Sequence, residues 1–447
     1  MSSRAGPSPS NLAGAIAAAL LAGEWTESPM LRRSREAIEP APAWLRRVVP
    51  AVREAYREPP ADRPRELTEF VRLTIERLRV PPTTPPPRVR RWFLPEQRMV
   101  RRRWPVVELD TKADLAALLE LEPSRLDWLA DVRGLERTVE TEQLRNYRYA
   151  WLPRPGAPPR VLEQPKSMLK AAHRRVLRAV LDWIPAHEAA HGFVPGRSAR
   201  SHAAAHTGEA TVLRLDLEDY FASVTAGRVY GIFRTAGYPE AVAHALTALC
   251  TNVVPRAEWA ALPRPAQPLL ASHWRLGRRL ATPHLPQGAP TSPALASLAT
   301  FTLDRRLTGL ATAFGARYTR YADDLAFSGD ARLRARTGRL ATLAGEIARD
   351  EGFLLNAAKT RVMPSSTRQR LCGIVVNEHP NVARAEYDLL KAILHDAARY
   401  GPAAANRAGH PQFRAHLLGR IAWVEQLNPA RGRRLRERFE AIDWSPG

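Results

Sequence analysis

The sequence predicts an α+β fold built around a small β-sheet, and three observations carry that reading. Short β-prone runs (residues 147–165, 211–217 and 318–327) are mixed with long helical patterns without the strict alternation of a parallel stack. Val212-Leu213-Arg214-Leu215-Asp216-Leu217 is an apolar strand carrying one acid that needs a partner or a role. Tyr321-Ala322-Asp323-Asp324 places two adjacent carboxylates at the tip of a hairpin between residues 316–321 and 325–328. Crowded like charges repel and lose hydration, so a fold that presents them together calls for a cation, and an all-oxygen donor set suits Mg²⁺. A solvated Asp-Asp turn is the alternative, and a third acid with a substrate site has to separate the two.

Composition bounds the partner. The chain has 447 residues, room for two or three domains. Its 67 basic and 45 acidic residues leave a net charge of +22, nearly all from arginine, which points to RNA or DNA before a membrane surface. An Ala/Arg/Pro-rich proteome accounts for part of that excess. Cys250 and Cys372 have no metal-ligand spacing and form no disulfide framework, so a reducing cytoplasm is the expected home. No run is long enough to span a membrane, and residues 12–23 read as a helix capped by Ser10-Asn11, not as a signal peptide.

Along the chain, helical patterns at 34–56 and 66–78 lead into Pro81-Pro82-Thr83-Thr84-Pro85-Pro86-Pro87, an extended linker because proline joins neither helix nor central strand. Arg88, Arg90, Arg91, Trp92, Phe93, Arg98, Arg101, Arg102, Arg103 and Trp104 interleave guanidinium groups with rings, as suits phosphates and stacked bases, or form a solvated charged segment. Residues 111–129 are an amphipathic helix pair. Residues 147–165 are a hairpin turning at Pro155-Gly156, and 167–183 a helix with Lys170, His173, Arg174, Arg175 and Arg178 on a basic face. Gln287-Gly288-Ala289-Pro290-Thr291-Ser292-Pro293 is a small-residue loop entering a helix over 293–314, open to close approach by a planar ligand and by phosphate oxygens.

Taken together these segments resemble a reverse transcriptase, most closely the bacterial retron type. LRLDLEDYFASV (213–224), LPQGAPTSP (285–293), RYADDL (320–325), GFLLNAAKTRV (352–362) and RQRLCGIVVN (368–377) match its palm motifs in order. Pro165-Lys166, Lys170 and HGFVPGRS (191–198) match its finger motifs. The resemblance covers roughly residues 115–435. It implies a right-hand polymerase fold: an N-terminal extension (1–105), N-terminal helices and fingers (106–210), palm (211–383), and a thumb with a basic tail (384–447).

The resemblance also assigns roles. Asp216 and Asp323 would hold two Mg²⁺ ions, for which Mn²⁺ can substitute, with Asp324 and the backbone of Leu217 in support. Phe221 would exclude a 2′-hydroxyl, Gln287 and Gly288 would line the nucleotide, Arg154 and Arg160 would clamp its triphosphate, and Lys359 would supply a proton or a phosphate contact. Lys166, Lys170, Arg197, Cys372 and Gly373 would meet primer or RNA, and Arg431, Arg433, Arg434, Arg436 and Arg438 would track a backbone. Two segments depart from the retron pattern: His202-Ala203-Ala204-Ala205-His206 begins with His in place of Asn, and Leu371-Cys372-Gly373 replaces Val-Thr-Gly. Both lie in motifs tied to recognition of the partner RNA. The implied activity is RNA-directed DNA synthesis from dNTPs on a structured non-coding RNA, giving an RNA/DNA product in anti-phage defence beside a separately encoded effector, with no membrane partner. An untemplated or protein-primed DNA polymerase and a silent RNA-binding scaffold are the alternatives.

Overall fold

The computed structural model describes residues 9–78, 85–95 and 98–444. The expected linker residues Pro81-Pro82-Thr83-Thr84 lie outside the described residues. The chain divides into two compact units, Met1–Ile184 with Val224–Leu295, and Pro185–Ser223 with Ala296–Gly447.

The first unit opens with helices Pro9–Leu21, Glu27–Ala37, Leu45–Ala55 and Pro64–Arg77. Their apolar faces meet in a core that includes Ile16, Leu20, Met30, Val48, Val52, Leu67 and Val71. The helical pattern at 34–56, broken by prolines, falls into two helices, because Pro40 and Pro42 stand between them and cannot continue the i→i−4 ladder. Arg33, buried in this bundle, donates to the carbonyls of Ala19, Leu20 and Glu24 at 2.8, 3.1 and 2.8 Å. It thereby satisfies acceptors that the end of the first helix leaves open. Helices Lys112–Leu118 and Pro123–Leu129 are the expected pair, the first capped by the reciprocal Thr111 and Asp114 bonds.

Strands β1 (Tyr147–Arg154) and β2 (Ala157–Pro165) form the expected antiparallel hairpin, with Pro155-Gly156 at its turn. The helix expected over 167–183 runs over Ser167–Ala179 and gives way to a 3₁₀ turn at Leu181–Trp183. His173 is not on its basic face. It is buried, with Nε2 2.7 Å from the Leu249 carbonyl.

The second unit holds a four-stranded antiparallel sheet. β3 (Thr211–Asp216), β4 (Arg317–Tyr321), β5 (Asp324–Gly329) and β6 (Arg361–Pro364) lie in the order β4-β5-β3-β6. The central strands β3 and β5 carry Val212, Leu213, Leu215, Leu325, Ala326 and Phe327 into the core on both faces, which is why their sequences read as apolar runs. The helix expected over 293–314 breaks at Thr300 into Ser292–Ala299 and Phe301–Ala313. There the Thr300 hydroxyl bonds back to the carbonyls of Ala296 and Ser297 at 3.0 and 2.9 Å, a competitor to the helical ladder.

Helices Arg384–Tyr400, Phe413–Leu427 and Pro429–Glu440 close the unit around Leu390, Leu394, Leu417, Ile421, Leu435 and Phe439. Residues 431–438, read as a charged tail, belong to that last helix. Asn428 caps it, and Leu435 and Phe439 bury its other face.

Candidate active site

The second unit brings the three aspartates to one end of its sheet. The β3/β5 register sets Asp216 directly across from Asp324, and the β4/β5 register pairs Tyr321 with Asp324. Ala322 and Asp323 are therefore a two-residue turn, with Asp323 at the tip. Leu217 N donates to Asp323 O at 2.9 Å, carrying the pairing one step beyond the strand.

That turn is strained and braced. Ala322 has φ 54, a left-handed conformation that costs a residue with a Cβ. Arg320, with no exposed side chain, lies beneath it. Its Nη1 donates to Ala322 O at 3.0 Å and to Tyr220 Oη at 2.9 Å. Its Nε and Nη2 form a two-pronged pair with Asp304 at 2.8 and 2.7 Å, and Tyr318 Oη donates to the same carboxylate at 2.8 Å. Such a fork is geometrically specific, and losing one partner would strand a buried charge.

Asp216 is 2% exposed. Lys359 Nζ stands 3.0 Å from both of its oxygens, but its hydrogen bond goes to Oδ2, and Oδ1 is buried with no hydrogen-bond partner. Burial pushes the Asp216 carboxyl up to about 6, Asp323 and Asp324 add to the rise, and Lys359 opposes it. Asp324 is held differently. Arg214, two residues before Asp216 on the same face of β3, donates to its Oδ1 from Nε at 2.9 Å and Nη2 at 2.6 Å. Cys372 Sγ lies 3.8 Å from the other oxygen of Asp324. Burial, with Asp324 adding to it, pushes that thiol up to about 12.

This donor chemistry fits a hard divalent cation. Asp216 and Asp323 with the Leu217 backbone are oxygen donors, and Oδ1 of Asp216 is a buried acceptor that the nearby Lys359 ammonium leaves without a hydrogen bond. Among the described residues no group of three His, Cys, Asp or Glu side chains gathers as a closed cage.

The other residues singled out from sequence fall in both units. In the second, Phe221 sits in the 3₁₀ turn Phe221–Ser223, half-buried, its ring 6.1 Å from that of Phe193. Arg197 is exposed and folds back to the carbonyls of Glu188 and, at 2.9 Å, Ala190. Cys372 (φ 46) and Gly373 (φ 86) turn the short hairpin between Arg370–Leu371 and Ile374–Val375. Two successive positive φ values are the mark of a type I′ turn.

In the first unit, Arg154 and Arg160 flank the β1/β2 turn, Arg160 exposed and Arg154 Nε bonded to Pro158 O at 2.8 Å. Lys170 is exposed, and Lys166 Nζ is tied to the Glu142 and Gln143 carbonyls. Gln287 O accepts from Glu163 N at 2.9 Å, and a Cβ on Gly288 would come within 2.9 Å of Glu163 O. The loop therefore lies flat on β2, and its glycine is a condition of that contact.

Three features were not foreseen. Arg214 and Arg320, given no role in the sequence reading, are acid partners inside the site. Lys359, expected to supply a proton or a phosphate contact, also pairs with Asp216, a contact the sequence reading did not include. His202 and His206, expected among groups that read RNA, are both buried. Thr319 Oγ1 lies 2.6 Å from His202 Nδ1 and 2.7 Å from His206 Nε2, and His206 Nδ1 lies 2.7 Å from Ser328 Oγ, a polar ladder under β4 and β5. The signal for it was the four-residue spacing of the histidines, which puts both on one side of a helical turn.

A sequence model described as "Reverse transcriptase (RNA-dependent DNA polymerase)" matches residues 153–376. The chain is similar to the Retron Mx65 reverse transcriptase of Myxococcus xanthus, 39% identical over 332 residues that cover 73% of this chain and 71% of that protein. It is similar to the Retron Mx162 reverse transcriptase of the same organism, 36% identical and covering 73% and 66%. Among solved structures, a foamy viral protease-reverse transcriptase in complex with double-stranded DNA aligns with a TM-score of 0.30 and 15% identity, covering 72% of this chain and 47% of that one.

Proposed function

The chain belongs to the retron reverse transcriptases, RNA-directed DNA polymerases, and we propose that within that family it copies a structured non-coding RNA into DNA by two-Mg²⁺ nucleotidyl transfer at Asp216 and Asp323. The single observation that carries the site assignment is the β3/β5 register. It sets Asp216 against Asp324 beside the Asp323 turn and leaves a buried Asp216 oxygen without a hydrogen bond.

Asp216, Asp323 and the Leu217 carbonyl are the groups that would hold the ions. When bound, the ions favour ionisation of the attacking hydroxyl and offset charge on the leaving pyrophosphate. The chain's own residues prepare that geometry. Arg320 fixes the turn that presents Asp323, and Arg214 orients Asp324, which keeps it a supporting acid. Lys359 balances the buried Asp216 charge and is placed to turn toward a phosphate once a cation takes over that balance. Phe221 is proposed as the sugar-excluding ring. Arg154, Arg160, Gln287 and Gly288 are proposed as nucleotide contacts, and Lys166, Lys170, Arg197, Cys372 and Gly373 as contacts to primer or RNA. The division into extension (1–105), fingers, palm and thumb stands as part of this reading, as do a cytoplasmic setting and a role in anti-phage defence beside a separate effector.

Sequencing the nucleic acid that copurifies with the protein tests the reading. A covalent or base-paired RNA–DNA species whose DNA is complementary to its RNA is the expected result. RNA with no DNA would favour a binding scaffold, and DNA joined to the chain itself would favour protein priming.

A further inference from the structure

We propose that a basic cleft in the first unit, lined mostly by residues that precede the matched polymerase region, docks the phosphodiester backbone of RNA. The cleft encloses about 950 Å³ between residues 55–63, residues 100–103 and the end of the helix Ala226–Ala236. Arg57, Arg101, Arg102 and Arg103 are exposed along it. Among the described residues, no acid pairs with Arg57, Arg101 or Arg103, and Arg102 meets Glu108 only at 4.0 Å. Two acids line the cleft: Asp62 is already engaged, taking Arg234 at 3.1 Å and lying 3.7 Å from Arg63, and the exposed Glu58 is outnumbered by Arg57, Arg101, Arg102 and Arg103. The remaining field is strongly positive and recessed, where field lines concentrate.

The arginine wall is anchored on both sides. A Cβ at Gly237 would fall 1.9 Å from Arg101 O, so only glycine lets residue 101 rest on the helix end. Met99 N donates to Asp110 Oδ1 at 2.7 Å, and Tyr238 Oη donates to Val107 O at 2.9 Å. Tyr56 lines the cleft, and the Arg103 guanidinium lies 5.0 Å from the Trp104 ring centroid. Planar guanidinium forks with rings close by suit phosphates and stacked bases. A bilayer presents a plane, whereas these arginines line a recess. The choice of RNA over other polyanions rests on the polymerase reading above. The cleft would add a docking point for the RNA partner outside the nucleotidyl-transfer site.

The test measures binding of a short fluorescein-labelled single-stranded RNA to the full chain across a salt series. R57Q/R101Q/R103Q is compared with wild type, with R57K/R101K/R103K, and with R332Q/R334Q/R339Q on the exposed face of the helix Ala331–Asp350. The cleft Gln triple is expected to bind about tenfold or more weakly, with a salt slope shallower by about two. The Lys triple and the distant Gln triple are expected to bind within about threefold of wild type. Extension of a short DNA primer annealed to RNA is expected to be the same in all four proteins. Equal binding by the cleft triple and wild type overturns the proposal, as does an equal loss in the two Gln triples. Loss of binding to phosphatidylserine vesicles with RNA binding intact also overturns it, and so does loss of primer extension confined to the cleft triple. Absence of extension in wild type would strike the polymerase reading and leave the binding comparison standing.

Discussion

Arg320 braces the turn that presents Asp323. Its guanidinium has no exposure, one edge held by Asp304 and the other by the Ala322 carbonyl and Tyr220. Arg320→Met leaves Asp304 charged, buried and bonded only to Tyr318, a loss of about 3–5 kcal/mol. Urea denaturation is expected to show that loss, and the folded fraction is expected to extend primers more slowly because Ala322 is no longer held at positive φ. An unchanged midpoint would remove Arg320 from this role. Cys372 gives a second check. With its thiol pushed up to about 12 by burial and Asp324, it holds almost no thiolate at neutral pH. Native protein treated with iodoacetamide near neutral pH is expected to stay unmodified at Cys372 by mass spectrometry, while unfolded protein reacts. Rapid alkylation of the native chain would contradict the placement. The aspartates were legible because Asp216, the 287–293 loop and the motifs around them stand in order with the Asp323-Asp324 pair, which alone reads as an ordinary turn. Arg214 and Arg320 were not, since an arginine in a strand looks the same whether it faces water or a buried carboxylate.

At the scale of elements, the hairpin β4/β5 rests on the His202, Thr319, His206 and Ser328 ladder. Burial, the main cause, lowers His206 to about 3 and His202 to about 2. Their ordinary value lies near ~6.5, so the unfolded chain takes up protons that the folded chain refuses as pH falls below it. The stability they support is whole above about pH 6.5 and is lost as pH falls toward about 3, by roughly 1.4 kcal/mol per unit for each histidine in that window. Thermal midpoints are expected to drop between about pH 7 and about pH 5, and His206→Asn is expected to flatten the slope. Parallel curves for the two proteins would rule the ladder out as its source. The role proposed for Phe221 is tested at the same scale, because the residue sits in a 3₁₀ turn just past β3. Phe221→Val is expected to raise ribonucleotide incorporation relative to deoxyribonucleotide in single-nucleotide extension, and an unchanged ratio would reject the assignment. The hairpin β1/β2, the strand β3 and the turn at Asp323 were readable from alternation and turn residues. The break at Thr300 was not, because local periodicity does not reveal where a hydroxyl wins against the helical ladder. The altered 202–206 and 371–373 segments look different once placed: the first is core, and the second is a two-residue turn whose cysteine touches Asp324.

For the whole molecule, charge and family membership agree. A net +22 on 447 residues fits a polymerase that handles two polyanions at once, and its RNA affinity is expected to fall steeply with salt. Motif order made the family legible over most of the chain, whereas the helical bundle formed by the first four helices had no such signature and emerges only from its packing. The central claim is that Asp216 and Asp323 perform template-directed DNA synthesis. The most direct measurement is extension of a DNA primer on an RNA template with dNTPs and Mg²⁺ by wild type, Asp216→Asn and Asp323→Asn, each checked for folding by its thermal midpoint. Wild type is expected to yield DNA complementary to the template, and either folded variant is expected to lose about 10³-fold or more of that rate. Extension by either variant at the wild-type rate, or none by wild type on any primer–template with Mg²⁺ or Mn²⁺, would contradict the claim.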